Sequence, residues 1–161
     1  MVHIIWQFIF KNHFVFPDGL SSQSQILIVG MQIHLVIVDD SNIWLNIAEK
    51  LARSNPFIAS VSTYNDPMDA WIYLQTSKSN VLMTDIEMPM LDGFSFVAMF
   101  GRKLQIISSS TREEFAKHIM KLGCSNFLSK PFSKDAFDGA IADIYQKASS
   151  TRPKKVVKTF G

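Results

Sequence analysis

Residues 33–41 read IHLVIVDDS. The first six are apolar but for His34 and rich in β-branched side chains. They are too few for a helix, and they lack the polar alternation of a strand with one face in water. Such a run fits a strand buried on both faces, as in a parallel sheet covered by helices on each side. Two adjacent carboxylates, Asp39 and Asp40, stand where this strand ends.

Outward from there the chain alternates strand and helix. Ser41 offers an N-cap, and Ile43, Ile47 and Leu51, with Trp44 and Ala48, predict one apolar helix face. Asn55-Pro56 ends that helix. Residues 57–64 read as a second strand. Asp66 then caps a helix with Pro67 at its first position, running to Thr76. Residues 81–84 form a third strand ending at Asp85. A loop with Pro89 and Asp92-Gly93 follows, then a short helix over 94–100 and a fourth strand over 104–107, followed by Ser108. Thr111-Arg112-Glu113-Glu114 has the spacing of a capping box, and Gly123 stops the helix it opens. Residues 127–129 make a fifth strand. Pro131 breaks the chain before a last helix over 134–148, with Phe137, Ile141 and Ile144 on one face. Five strands alternating with five helices predict an α/β fold, a doubly wound parallel sheet.

Composition agrees with one folded unit and two unlike ends. The chain has 161 residues, 47% of them hydrophobic and 19% charged, which excludes wholesale disorder. The formal net charge of +2 hides an asymmetry. Residues 31–151 carry eleven basic and thirteen acidic groups, so this part is mildly acidic and lacks the basic stripe of a nucleic-acid binder. A single cysteine, Cys124, excludes an intramolecular disulfide and a multi-cysteine zinc site. It reads as a small buried hydrophobe rather than a nucleophile, since no basic neighbour lies close in sequence.

Residues 1–30 form an extension of a different kind. The stretch 1–16 is apolar and aromatic, yet Lys11-Asn12-His13 cuts it short of the roughly 20 residues of a membrane span. It also lacks the basic start of a secretory signal. Three readings stay open: an appendage packed on the domain, a membrane-associating stretch, or translated sequence upstream of a start at Met31. The last is favoured, because the ordered pattern begins immediately afterwards. Residues 149–161, with Arg152, Lys154, Lys155 and Lys158, read as a basic tail or linker.

In open parallel sheets, function gathers at the carboxyl ends of the strands. Asp39-Asp40, Asp85, Ser108 and Lys130 fall at those ends. Three carboxylates crowded together repel one another, and a hard divalent cation relieves that repulsion; Mg²⁺ suits few protein oxygens with room for water and phosphate. Lys130 and Ser108 can each donate to a phosphoryl oxygen, and a carboxylate can accept a phosphoryl group as an acyl phosphate.

At this point the sequence resembles the receiver domain of two-component response regulators, over residues 31–148. The resemblance is carried by VIVDDS (36–41), LMTDIEMPMLDG (82–93), IISSS (106–110) and LSKPF (128–132). It implies a flavodoxin-like fold and Asp85 as phosphoacceptor. Asp39 and Asp40 become a Mg²⁺-binding pair, with Asp40 as direct ligand. Asp85 and the backbone carbonyl of Glu87 complete the protein ligands. Ser108 takes the family's switch hydroxyl position and Phe127 its switch aromatic position; Lys130 binds the phosphoryl group, and the Lys130–Pro131 bond is cis. Ser109 stands where the family more usually has Ala, and the stretch between Asp85 and Ser108 is short, so the third helix should be trimmed. The wording leans toward receivers of the chemotaxis methylesterase type.

The resemblance further implies a cytoplasmic switch, not an enzyme, that takes phosphate from a histidine kinase or phosphotransfer protein. Its other partners would be a downstream protein or an output domain of a longer regulator, and a second copy of itself on phosphorylation; nucleic acid is not expected. Two rivals share some of its chemistry. A haloacid-dehalogenase-like phosphatase also uses Asp and Mg²⁺ but needs a DxD pattern on its first strand and its acidic pair late in the chain. A flavin-binding module needs a Ser/Thr/Gly-rich phosphate loop after the first strand, and Asp39-Asp40-Ser41-Asn42 would repel phosphate without a metal.

Overall fold

A computed structural model describes residues 32–150. The expectations for residues 1–30 and for the basic residues of the tail lie outside that range. Five strands, β1 (Ile33–Val38), β2 (Ile58–Tyr64), β3 (Val81–Asp85), β4 (Gln105–Ser110) and β5 (Asn126–Ser129), form one parallel sheet in the order β2-β1-β3-β4-β5. Between and after them run α1 (Asn42–Arg53), α2 (Pro67–Thr76), α3 (Gly93–Phe100), α4 (Ala116–Lys121, entered by a 3₁₀ turn over Glu113–Phe115) and α5 (Lys134–Ser150). This is the doubly wound five-strand, five-helix architecture expected. Among the described residues no helix is long and apolar enough to cross a membrane.

The central strands explain the layers. Alternate residues of β1 enter two cores, because successive side chains of a strand point to opposite faces. Ile33, Leu35 and Ile37 pack with α1 and α5, where Phe137, Ile141 and Ile144 are fully buried as expected. Val36 and Val38 pack with α2, α3 and α4. The order reverses at β1, which has β2 on one side and β3 on the other. A crevice opens at such a switch point, beyond the carboxyl ends of β1 and β3.

Three local expectations are corrected. On α1 the buried stripe is Leu45, Ala48 and Ala52, while Ile43 is 71% exposed and Ile47 38% exposed. The helix is thus turned by about one residue, roughly 100°, from the orientation predicted. The small Ala48 and Ala52 let it lie close to the sheet, and Leu51 is half-buried at the edge of the same core. The capping box does not form: Glu114 accepts from the Arg112 guanidinium at 2.6 and 2.8 Å, and Arg112 itself precedes the 3₁₀ turn. Finally β4 runs on through Ser110, so Ser108 lies inside the strand rather than at its end. Ser108, Ser109 and Ser110 are all buried, and their small hydroxyl side chains fit where polarity argued against strand.

Elsewhere the local signals act as expected. Asp66 accepts from the Met68 N–H at 2.7 Å ahead of Pro67. Gly123, with φ of 104°, ends α4 in the left-handed region open to glycine. The eight-residue α3 is short, as the Asp85–Ser108 spacing implied.

Candidate functional site

The crevice at the switch point is a cleft of about 210 Å³, floored by Asp39, Asp85 and Lys130 and rimmed by Asp40, Glu87 and Thr111, with Ser41 and Trp44 from the start of α1. β1 delivers Asp39, β3 delivers Asp85, and the turn after β5 delivers Lys130, whose bond to Pro131 is cis. Asp39, Asp85 and Lys130 are buried, at 4%, 6% and 8% exposure, so their charges meet largely away from water.

The hydrogen bonds bind these groups into one cluster. Lys130 Nζ donates to Asp39 Oδ2 and to Asp85 Oδ1, both at 2.7 Å. The remaining oxygens also have donors: Ser41 N–H to Asp39 Oδ1 at 3.0 Å, and Glu87 N–H to Asp85 Oδ2 at 3.1 Å. Burial pushes the Asp85 carboxyl above the usual carboxylate range; Lys130 pulls it back, while Asp39 and Asp40 add to the rise. One ammonium thus bonds two of the three carboxylates, and negative charge remains in excess. Asp39, Asp40 and Asp85 each offer an oxygen within 4.8 Å of the others, a donor set of hard oxygens that fits a divalent cation. The exposed Asp40 carboxylate takes no side-chain hydrogen bond among the described residues.

Ser108 is the expected site residue that the geometry does not bring to the cluster. It pairs with Thr84, and its Oγ lies 3.2 Å from the Cys124 thiol, on the side of the sheet that carries Ile106 and α4. Phe127 is its neighbour on β5 and packs into the same core. The ladder partner of Asp85 is Ser109.

Sequence reasoning missed several contributors. Trp44, assigned to a helix face, instead walls the cleft with its ring centroid 5.5 Å from Lys130 Nζ and 6.0 Å from the Phe132 ring. Glu87, expected to serve through its carbonyl, brings its side chain to the cleft rim, where it accepts from Ser110 Oγ at 3.2 Å and from Arg112 Nη1 at 3.4 Å. These roles depend on helix rotation and loop path, for which a single sequence carries no signal.

A doubly wound sheet with an acidic cleft and a buried lysine at its switch point defines an α/β module of the flavodoxin-like class. Residues 35–142 match the family model of the response regulator receiver domain, and the chain belongs to that family. Among curated proteins it is 29% identical over 138 residues to a protein-glutamate methylesterase/protein-glutamine glutaminase of Chromohalobacter salexigens, an alignment covering 79% of this chain and 39% of that protein. A protein of the same name from Hydrogenovibrio crunogenus is 33% identical over 106 residues, 62% of this chain and 28% of that one. The chain therefore spans about two fifths or less of the length of these relatives. Among solved structures, the receiver domain of Francisella response regulator 1452 superposes with a TM-score of 0.65 at 22% identity, covering 73% of this chain and 99% of that one. The chemotaxis response regulator CheY4 of Vibrio cholerae gives 0.61 at 21% identity, covering 71% and 99%. These two likenesses bear on the fold.

Proposed function

We propose that this receiver domain accepts a phosphoryl group on Asp85 from a phosphohistidine donor. The observation that carries the reading is the convergence of Asp85 with Lys130, Asp39 and Asp40 in one cleft. An Asp85 carboxylate oxygen attacks phosphorus, the phosphorus–nitrogen bond breaks, and its electron pair leaves with the imidazole, which is reprotonated. Lys130, which donates to Asp85 at 2.7 Å, would donate to a phosphoryl oxygen. Asp40, Asp39, Asp85 and the Glu87 carbonyl would hold Mg²⁺, which supplies charge neutralisation for the transferring group. The free and exposed Asp40 carboxylate favours it as a direct ligand. Ser108 and Phe127, side by side on β4 and β5, are the elements that would carry the change toward α4 and α5.

Exposed Ile43 on α1 and Met90 on the loop before α3 offer apolar surface for a donor. The downstream partner we favour is a methylesterase-type output unit, because the curated relatives carry that name and extend well past the length matched.

Intact-mass analysis after acetyl phosphate treatment, with and without Mg²⁺, tests the reading. One phosphoryl adduct is expected, dependent on Mg²⁺ and absent from Asp85→Asn. An adduct that persists in the variant overturns the assignment.

A further inference from the structure

Ser109 holds an unused hydrogen-bond donor next to the proposed phosphoacceptor. The residue is 1% exposed, and its Oγ finds no partner among the described residues. Buried hydroxyls without a partner are uncommon, because each forfeits its hydrogen bonds to water. The other such atom in the described region, Asn126 Oδ1, lies at the opposite end of β5.

Strand geometry sets the direction of the Ser109 side chain. Ile107, two residues earlier on β4, packs in the core of α1 and α5; so do Met83, two before Asp85, and Leu128, two before Lys130. With a side-chain period of two, Ser109, Asp85 and Lys130 project to that same face. Ser109 is paired in register with Asp85 on one side and Leu128 on the other, and its carbonyl accepts the Ile86 N–H at 3.0 Å. Neighbouring strands lie about 4.8 Å apart. Ser109 is therefore the neighbour of Asp85 on the adjacent strand, with Lys130 on the same face. Ser108, of opposite parity, bonds to Cys124 instead.

Resting on the reading of Asp85 as phosphoacceptor, we infer that Ser109 Oγ is a phosphoryl-binding donor in its own right, unpaired in the unmodified protein and satisfied when Asp85 carries phosphate. A phosphoryl group adds three strongly accepting oxygens beside Asp85. The serine hydroxyl, on the residue paired in register with Asp85, is offered one of them. An alanine at this position would admit the same group but donate nothing to it. Ser109 thus biases the domain toward the phosphorylated state from both sides: it is an orphan before transfer and a ligand after it.

The two sides give effects of opposite sign, which a merely structural residue would not produce. Ser109→Ala removes the orphan hydroxyl and should raise the melting temperature of the unmodified protein by a few degrees, as expected from removing a buried unpaired donor. The same substitution should weaken binding of beryllium fluoride, a phosphoryl mimic, in the presence of Mg²⁺. A hydrogen bond to a charged group corresponds to about tenfold or more in affinity. Titration is read by Trp44 fluorescence at the cleft wall and, independently, by the ligand-dependent shift in melting temperature. Ser109→Thr keeps the hydroxyl and should retain most of the affinity.

Wild-type and Ser109→Ala proteins that bind the mimic equally would overturn the role of Ser109 while leaving Asp85 as acceptor. A wild-type protein that neither binds the mimic nor labels on Asp85 would instead overturn the phosphoacceptor reading, and this inference with it. Weakened binding in Ser109→Ala and in Ser109→Thr alike would assign the effect to packing and also overturn the inference.

Discussion

The Lys130 ammonium stands 2.7 Å from Asp85 Oδ1, a contact across 45 residues that ties the end of β5 to the end of β3. The same nitrogen reaches Asp39 Oδ2 at the end of β1, so one cation joins three strands of the sheet. The pair is buried on both sides, with side-chain exposures of 4% and 8%. Its mutual attraction is weakly screened, and each charge depends on the other for the solvation that water no longer gives.

Removing the cation should therefore be costly. Lys130→Ala leaves Asp39 and Asp85 buried without their counter-charge, and breaking a buried pair in this way costs about 3–5 kcal/mol. Urea denaturation at neutral pH measures it through the midpoint at constant slope. A loss below about 1 kcal/mol, the level of an exposed ion pair, would show that water replaces the ammonium freely.

Asp85→Asn should have the opposite effect. Burial and the two neighbouring aspartates raise the Asp85 carboxyl above its ordinary range, so its ionised form is disfavoured in the folded chain relative to the unfolded one. At neutral pH that carboxylate costs stability. A neutral amide of the same size lifts the cost and leaves Lys130 paired with Asp39. Melting in metal-free buffer should rise by a few degrees. An unchanged or lower melting temperature would mean that the Lys130 contact outweighs desolvation.

How legible these features were in the sequence follows from burial geometry. β1 and β3 are enclosed on both faces, which leaves largely apolar runs, with His34 the one polar residue of β1 and Val81–Met83 leading into Thr84 and Asp85 in β3. The same burial at the end of β4 is met by three serines, and their polarity concealed half of that strand. On α1 two apolar stripes compete, Ile43 with Ile47 and Leu45 with Ala48 and Ala52; only packing against the sheet selects the second. Asp39, Asp40, Asp85 and Lys130 were readable because strand ends converge in this topology. The lateral placement of Ser109 and the wall made by Trp44 depend on register and helix rotation, which local pattern does not encode.

Gly93 illustrates a constraint that couples the site to the next helix. A Cβ built there would lie 2.4 Å from the Asp85 carbonyl oxygen and 2.8 Å from Ile86 Cα. Both are backbone atoms, and the Gly93 N–H also donates to the Ile86 carbonyl at 3.0 Å, so neither side can yield cheaply. Gly93→Ala should destabilise by about 1–3 kcal/mol, the range for overpacking a filled site. Because the displaced backbone bears Asp85, labelling by acetyl phosphate should fall as well. Full stability in the variant would show that the start of α3 moves away without strain.

Cys124 supplies the pH test. Its thiol is buried against Ile106, Ser108 and Asn126, with Sγ within 3.0–3.2 Å of an oxygen of each. Burial pushes the thiol above its ordinary value, and the hydrogen bonds only partly offset this. The folded chain therefore holds its proton to higher pH than the unfolded chain does. Any contribution from this group is fully present below the unfolded thiol value and is lost as pH rises from there through the folded value. Wild-type stability should fall on that alkaline limb more steeply than that of Cys124→Ala, with the difference opening near pH 8.5, the reference thiol value. Chemical reactivity gives an independent reading of the same burial. Iodoacetamide should leave Cys124 unmodified in the native protein at pH 8 and label it once urea unfolds the chain, because the thiolate is the nucleophile. Rapid native labelling would mean that the loop before β5 opens readily, and with it the Cys124–Ser108 contact.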